Sequence, residues 1–130
     1  GTEEWKQALS KAVALQERSV QREVLGFDAV FLGAIKGCQG AVKKLKAGET
    51  LNPGEVGVIP HAGPEFEAAM RSATKHGSGL ICVTGGRLAH LAVVARESNA
   101  ILVMWPEAEY LMNGQEVVID PDARQVRVTA

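Results

Sequence analysis

The chain has 130 residues, enough for one domain around one hydrophobic core. Hydrophobic residues make up 46% and charged residues 22%, an ordinary globular balance, and a net charge of −1 excludes the basic footprint of a nucleic-acid or acidic-membrane binder. No apolar run approaches the ~20 residues that span a bilayer and no signal peptide is visible, so a cytoplasmic protein is expected. A start at Gly1-Thr2 rather than Met is expected of a processed chain or a segment of a longer one.

Residues 3–25 lack Gly and Pro and read as a helix that opens on Thr2, Glu3 and Glu4, with acidic side chains at the positive end of its dipole. Trp5, Leu9, Val13, Val20 and Val24 give it a thin apolar stripe, suited to docking onto a core rather than making one, and Gly26 is its expected stop. After Phe27 the texture changes to short apolar runs divided by glycines. Ala29-Val30-Phe31-Leu32 reads as a strand, and Gly33, Gly37 and Gly40 mark a loop leading into a second strand. Asn52-Pro53-Gly54 is a turn, and Glu55 to Ile59 a buried strand closed by Pro60.

Pro64, Glu65 and Glu67 open the next helix, Arg71, Lys75 and His76 close it, and Gly77 ends it, so its charges match the dipole at both ends. Its buried face is Phe66, Ala69, Met70 and Ala73. Gly79 to Thr84 is wholly apolar until its end, as in a strand covered on both faces. Gly85-Gly86 makes a turn, a helix follows from about Leu88 to Ser98, and Ala100 to Met104 is another buried strand. The stretches 116–120 and 125–129 alternate around Pro121-Asp122-Ala123 as a hairpin. The predicted fold class is an α/β sandwich with a mixed sheet, preceded by an N-terminal helix. Trp5 is expected to dock that helix and Trp105 to cover a core edge, neither with an aromatic neighbour in sequence.

Cys38 and Cys82 do not form a zinc-type spacing, and no signal of secretion supports pairing them, so both are expected as buried thiols. The chemistry concentrates in Thr84-Gly85-Gly86-Arg87-Leu88-Ala89-His90. Glycines bring backbone close to a ligand, and a helix start offers unpaired N–H groups to an anion. His90, in the first turn, could take a phosphoryl group on a ring nitrogen while Arg87 or Arg96 balances the charge. A structural or surface histidine is the other reading of the same residues. His61, after a strand end, could face the same edge or be a plain loop residue, and Arg96 could instead make a helix salt bridge.

The run from Thr84 through His90 to Arg96-Glu97 resembles the phosphohistidine motif of phosphoenolpyruvate-utilising enzymes, whose members include phosphoenolpyruvate synthase, pyruvate, phosphate dikinase and enzyme I of the sugar phosphotransferase system. Pro53-Gly54-Glu55-Val56-Gly57-Val58 is similar to that family's "PGDVLV" strand, and Asn113-Gly114 through Asp120 to its "DG-x-x-V-x-V-D" hairpin, so the resemblance spans roughly residues 30–129. It implies a swivelling β/β/α domain over 27–130, with residues 1–26 as a linker or docking helix. It implies His90 as the phosphorylated residue of a multidomain phosphotransferase, with Gly85, Gly86, Arg87 and Arg96 as phosphate-binding residues. It implies no metal or cofactor in this domain; ATP, phosphoenolpyruvate and Mg would lie on ATP-grasp or TIM-barrel partner domains, in the same chain or separate, and neither nucleic acid nor membrane is an expected partner. The sequence departs from the motif at Leu88 and Ala89, where members carry hydroxyls or thiols, and at Leu91, where a small residue is usual. The alternative is a non-catalytic regulatory or interaction domain of the same fold, as in the extra C-terminal domain of some pyruvate kinases.

Overall fold

The computed structural model describes residues 2–18 and 23–129, with side chains at 2–11 and 23–129. Helix α1 (Thr2–Arg18) is followed by strands β1 (Val24–Asp28), β2 (Val30–Phe31), β3 (Cys38–Lys44) and β4 (Glu55–His61). A 3-10 turn (Pro64–Phe66) leads into helix α2 (Glu67–Lys75), then β5 (Gly79–Thr84), α3 (His90–Ser98) and β6 (Ile101–Met104). A second 3-10 turn (Pro106–Tyr110) precedes the hairpin β7 (Glu116–Asp120) and β8 (Gln125–Thr129).

All eight strands form one mixed sheet in the order β1-β8-β7-β3-β4-β5-β6-β2. Strands β3 to β6 run parallel, joined through α2 and α3, while β7, β8, β1 and β2 add antiparallel pairs. Alternation in the central strands explains why both faces are apolar. In β5, Leu80 and Cys82 point to the helices, whereas Ile81 faces away; in β6, Leu102 faces the helices and Ile101 and Val103 the other side. The second side is covered by the sheet itself, because Val117, Ile119, Val126 and Val128 of the hairpin share a cluster with Val56, Val58 and Val103. The result is three layers, two of sheet and one of helices.

The aromatic residues close that curl. Phe27 of edge strand β1 stacks on Trp105, just beyond β6, at 5.0 Å. Trp5 of α1 stacks on Trp105 at 5.4 Å and meets Tyr110 edge-on at 5.1 Å. Trp5 thus docks α1 as the stripe predicts, but Trp105 lies within an aromatic cluster that residues far apart in sequence assemble.

Several boundaries differ from those read in the sequence. Val24 and Leu25 belong to β1 and not to the first helix, because they pair with Thr129 and Val128 of β8. Gly26, expected as a helix stop, lies inside that strand; the expected stripe residue Val20 lies outside the described residues. A nonlocal ladder here outweighs a local preference that lacked any breaker. Strand β4 also continues through Pro60 to His61 instead of ending at Ile59. Gly40, in β3, lets backbones close in: a Cβ there would lie 2.4 Å from the Gly54 carbonyl oxygen.

The hairpin is fixed at its tip by Asp120. Its Oδ1 accepts the N–H groups of Ala123 and Asp122 at 3.2 and 3.0 Å, and its Oδ2 pairs with Arg127. The Ala123 N–H, then the Arg127 guanidinium, hold its carboxyl below the ordinary value of 3.8. A depressed folded value means that the contribution is fully present above 3.8 and is lost as pH falls through the lower folded value. Asp120→Asn is therefore expected to be less stable than the parent chain at neutral pH. In urea titrations that gap should shrink as the pH is taken below 3.8.

Candidate functional site

The site lies at one edge of the parallel strands, where β4 and β5 end together with His61 opposite Thr84. This is the edge at which open α/β sheets bind ligands, since the loops and helix starts after the strands converge there. The Thr84 hydroxyl donates to the Pro60 carbonyl at 3.1 Å and ties the two ends. Gly85 then turns with φ +149°, and a Cβ on it would lie 3.1 Å from the Ala62 Cβ and 3.4 Å from the Cys82 sulfur. Only glycine adopts that backbone without strain. Gly86 differs: a Cβ there meets nothing within 4 Å. Its carbonyl accepts the Ala89 N–H at 3.0 Å and closes the turn.

Ala89 is the N-cap, extended at φ −63° and ψ 150°, and provides no side-chain cap. The helix therefore begins at His90 and not at Leu88. The role of the absent cap falls to the segment just after β4: the Leu91 N–H donates to the Ala62 carbonyl at 3.0 Å. Among the described residues, the N–H groups of Gly86, Arg87, Leu88 and His90 find no acceptor. They lie in the turn that leads into α3, near the positive end of its dipole.

His90 is half in solvent, with 43% of its side chain exposed. Its Nε2 lies 2.8 Å from Oε1 of Glu67, the first residue of α2. The other oxygen, Oε2, lies 3.8 Å from the Arg71 guanidinium one turn on. Glu67 borders an open groove of about 340 Å³ between α2 and α3, floored by Met70 and Val94. Sequence reading placed Glu67 only as a dipole partner of α2. Its contact with His90 joins two helices and left no local signal.

The other expected site residues divide. Arg87 is exposed, and among the described residues its side chain has no partner, so its charge is free to meet an anion. Arg96 is engaged: its guanidinium donates to the Arg87 carbonyl at 2.7 Å and to the Leu32 carbonyl at 3.3 Å. In this arrangement it braces the turn that precedes His90, and among the described residues it makes no helix salt bridge. His61 turns away to Glu65, at 3.4 Å, and packs edge-on against Phe66. The cysteines are free; Cys82 is buried as expected and Cys38 only partly so, and burial pushes their thiols up to about 12 and about 11.

The three departures from the expected motif sit in three environments. Leu88 projects into solvent, 93% exposed. Ala89 is partly buried against the helix-side core. Leu91 is wholly buried in that core, so its bulk packs the helix and is directed away from the open edge.

The sequence matches the family model of the PEP-utilising enzyme mobile domain over residues 51–124. That span covers β4 through the hairpin turn and includes the whole site edge. No curated protein sequence matches the chain. Among solved structures, it is similar to aconitase X of Thermococcus kodakaraensis in its holo-form, with a TM-score of 0.55 and 12% identity. The match covers 80% of this chain and 98% of that one, and at this identity it establishes a shared fold alone.

The two glycines separate experimentally. Gly85→Ala is expected to lose about 1–3 kcal/mol of stability in chemical denaturation, from the strained backbone. Gly86→Ala, facing open space, is expected to stay within about 0.5 kcal/mol.

Proposed function

The chain belongs to the family of mobile domains of phosphoenolpyruvate-utilising enzymes, and we propose that it carries a phosphoryl group on His90 between a donor site and an acceptor site on other domains. The observation that supports this reading most is the placement of His90. It is the first residue of α3, half exposed, beside the N–H groups of Gly86, Arg87, Leu88 and His90 that have no acceptor among the described residues. A neutral imidazole is nucleophilic near neutral pH, and the donors around it suit a phosphoryl group's negative charge.

In this reading Gly85 shapes the turn, Gly86 leaves room beside it, Arg87 supplies mobile positive charge and Arg96 holds the loop. The donor would be ATP or phosphoenolpyruvate, bound with Mg on an ATP-grasp or TIM-barrel domain, so the chain acts as one part of a transferase. Among the described residues no group of three or more His, Cys, Asp or Glu side chains could hold a metal ion, and no helix is long and apolar enough to cross a membrane. Residues 1–26 would serve as the linking or docking segment and 27–130 as the moving body, with β1 joined to that body through β8.

The second reading is a regulatory or interaction domain that has kept the fold without the transfer. Two observations favour it: Ala89 offers no hydroxyl beside the histidine, and Leu88 presents an apolar side chain to solvent next to it. Incubating the intact parent protein with labelled ATP or phosphoenolpyruvate separates the two. Acid-labile label that disappears in His90→Ala is the expected result. Label that survives in that variant removes His90 from the chemistry, and no label from either donor favours the second reading.

A further inference from the structure

The turn before α3 presents an apolar side chain to water. The Ala89 N–H closes that turn on the Gly86 carbonyl at 3.0 Å, which puts Arg87 and Leu88 at its corners. Arg96 braces it through the Arg87 carbonyl at 2.7 Å, so Leu88 projects from a restrained backbone. Leu88 is 93% exposed, the most open of the large apolar side chains among the described residues, whereas the His90 side chain is 43% exposed. A single exposed leucine is ordinary on a protein surface. Here it does not stand alone. Val93 is also exposed, and with Val94 it lies one turn after His90, on the face of α3 opposite the buried Leu91, Ala92 and Ala95. Val94 and Met70 floor the groove that borders Glu67, the residue in contact with His90. Apolar surface gathered in this way marks a place of contact.

We infer that Leu88, Val93 and the Met70–Val94 groove form an apolar collar around His90 that docks onto the domain holding the phosphoryl donor. This rests on the carrier reading above and describes the partner that reading requires. His90 can receive a phosphoryl group only when the donor comes within bonding distance, and in that reading another domain holds the donor. A surface that closes on His90 must also receive Leu88, because the leucine stands more open than the histidine. The fitting partner therefore offers an apolar recess beside its donor site, bordered by negative charge where the exposed Arg87 arrives. A polar side chain at position 88 would hold its water on docking. Leucine sheds it, which favours the closed state and keeps solvent from the histidine. The hydroxyl missing from the motif at Leu88 is thus replaced by a contact with the protein that delivers the phosphoryl group.

The test compares Leu88→Gln and Val93→Gln with Met112→Gln, which removes an exposed apolar side chain beside Trp5 and Leu9 instead of His90. The intact protein is given labelled ATP or phosphoenolpyruvate. Acid-labile label on His90 is expected to form about tenfold more slowly in Leu88→Gln, the scale of one lost apolar burial. It should also slow in Val93→Gln and keep the parent rate in Met112→Gln. In the 130-residue chain, phosphoramidate, a small donor that needs no recess, should label His90 equally in the parent and every variant. Donor labelling unchanged by Leu88→Gln would overturn the inference. Equal slowing with phosphoramidate would overturn it too, by placing the role of the leucine inside the turn. A readout without chemistry follows the Leu88 methyl groups by nuclear magnetic resonance with a soluble paramagnetic agent. Strong broadening in the 130-residue chain and shielding in the intact protein with ATP or phosphoenolpyruvate are expected. Methyl groups that stay open in the intact protein sink the inference. Shielding that grows with the concentration of the 130-residue chain alone assigns the collar to a second copy and sinks it as well. No label from either donor, together with shielded methyl groups, ends the carrier reading and leaves the docking surface standing.

Discussion

One hydrogen bond joins the scaffold to the chemistry: the Leu91 N–H to the Ala62 carbonyl, at 3.0 Å. It docks the start of α3 on the end of β4, a strand from the previous crossover. Without it the first turn of α3 would lack a cap, because Ala89 has no side-chain oxygen. With it, the position of His90 relative to β4 and α2 is set by a backbone contact. Leu91 strengthens the same attachment from within, since its side chain fills the core between sheet and helices. The residue that looked out of place in the motif is thus part of what holds the histidine in register. The Arg96 guanidinium restrains the other side of the loop through two carbonyls.

Much of the architecture was legible because the central strands carry strong signals. Gly79 to Val83 is apolar on every position, which only a sheet covered on both faces accommodates, and the 67–75 helix announces both its ends by charge. The hairpin was readable from its alternation. The end of the first helix was not, since no residue between 3 and 25 marks it; what turns Val24 into a strand is β8, about a hundred residues away. The same holds for the aromatic cluster. Trp5, Phe27, Trp105 and Tyr110 meet only after the sheet has curled, and a sequence shows each of them alone.

At the site, the local motif was legible and its surroundings were not. The Gly-Gly turn and His90 are contiguous, so their relation follows from backbone geometry over a few residues. The Glu67 contact depends on the angle between two helices, and the engagement of Arg96 on the fold of the loop after β2. Both are side chains with an ordinary explanation in sequence, a dipole partner for one and a helix cation for the other. Long polar side chains reach across elements, and their destinations are fixed by packing that no period in the sequence encodes.

The layer order has a mechanical side. Helix α1 is anchored through Trp5 and Leu9 to the cluster on the sheet-covered face, whereas α2, α3 and His90 belong to the opposite one. Among the described residues, the aromatic anchor of α1 and the turn before His90 thus lie on opposite faces of one hydrogen-bonded ladder, and a displacement of one is passed to the other through the β5–β6 pairing.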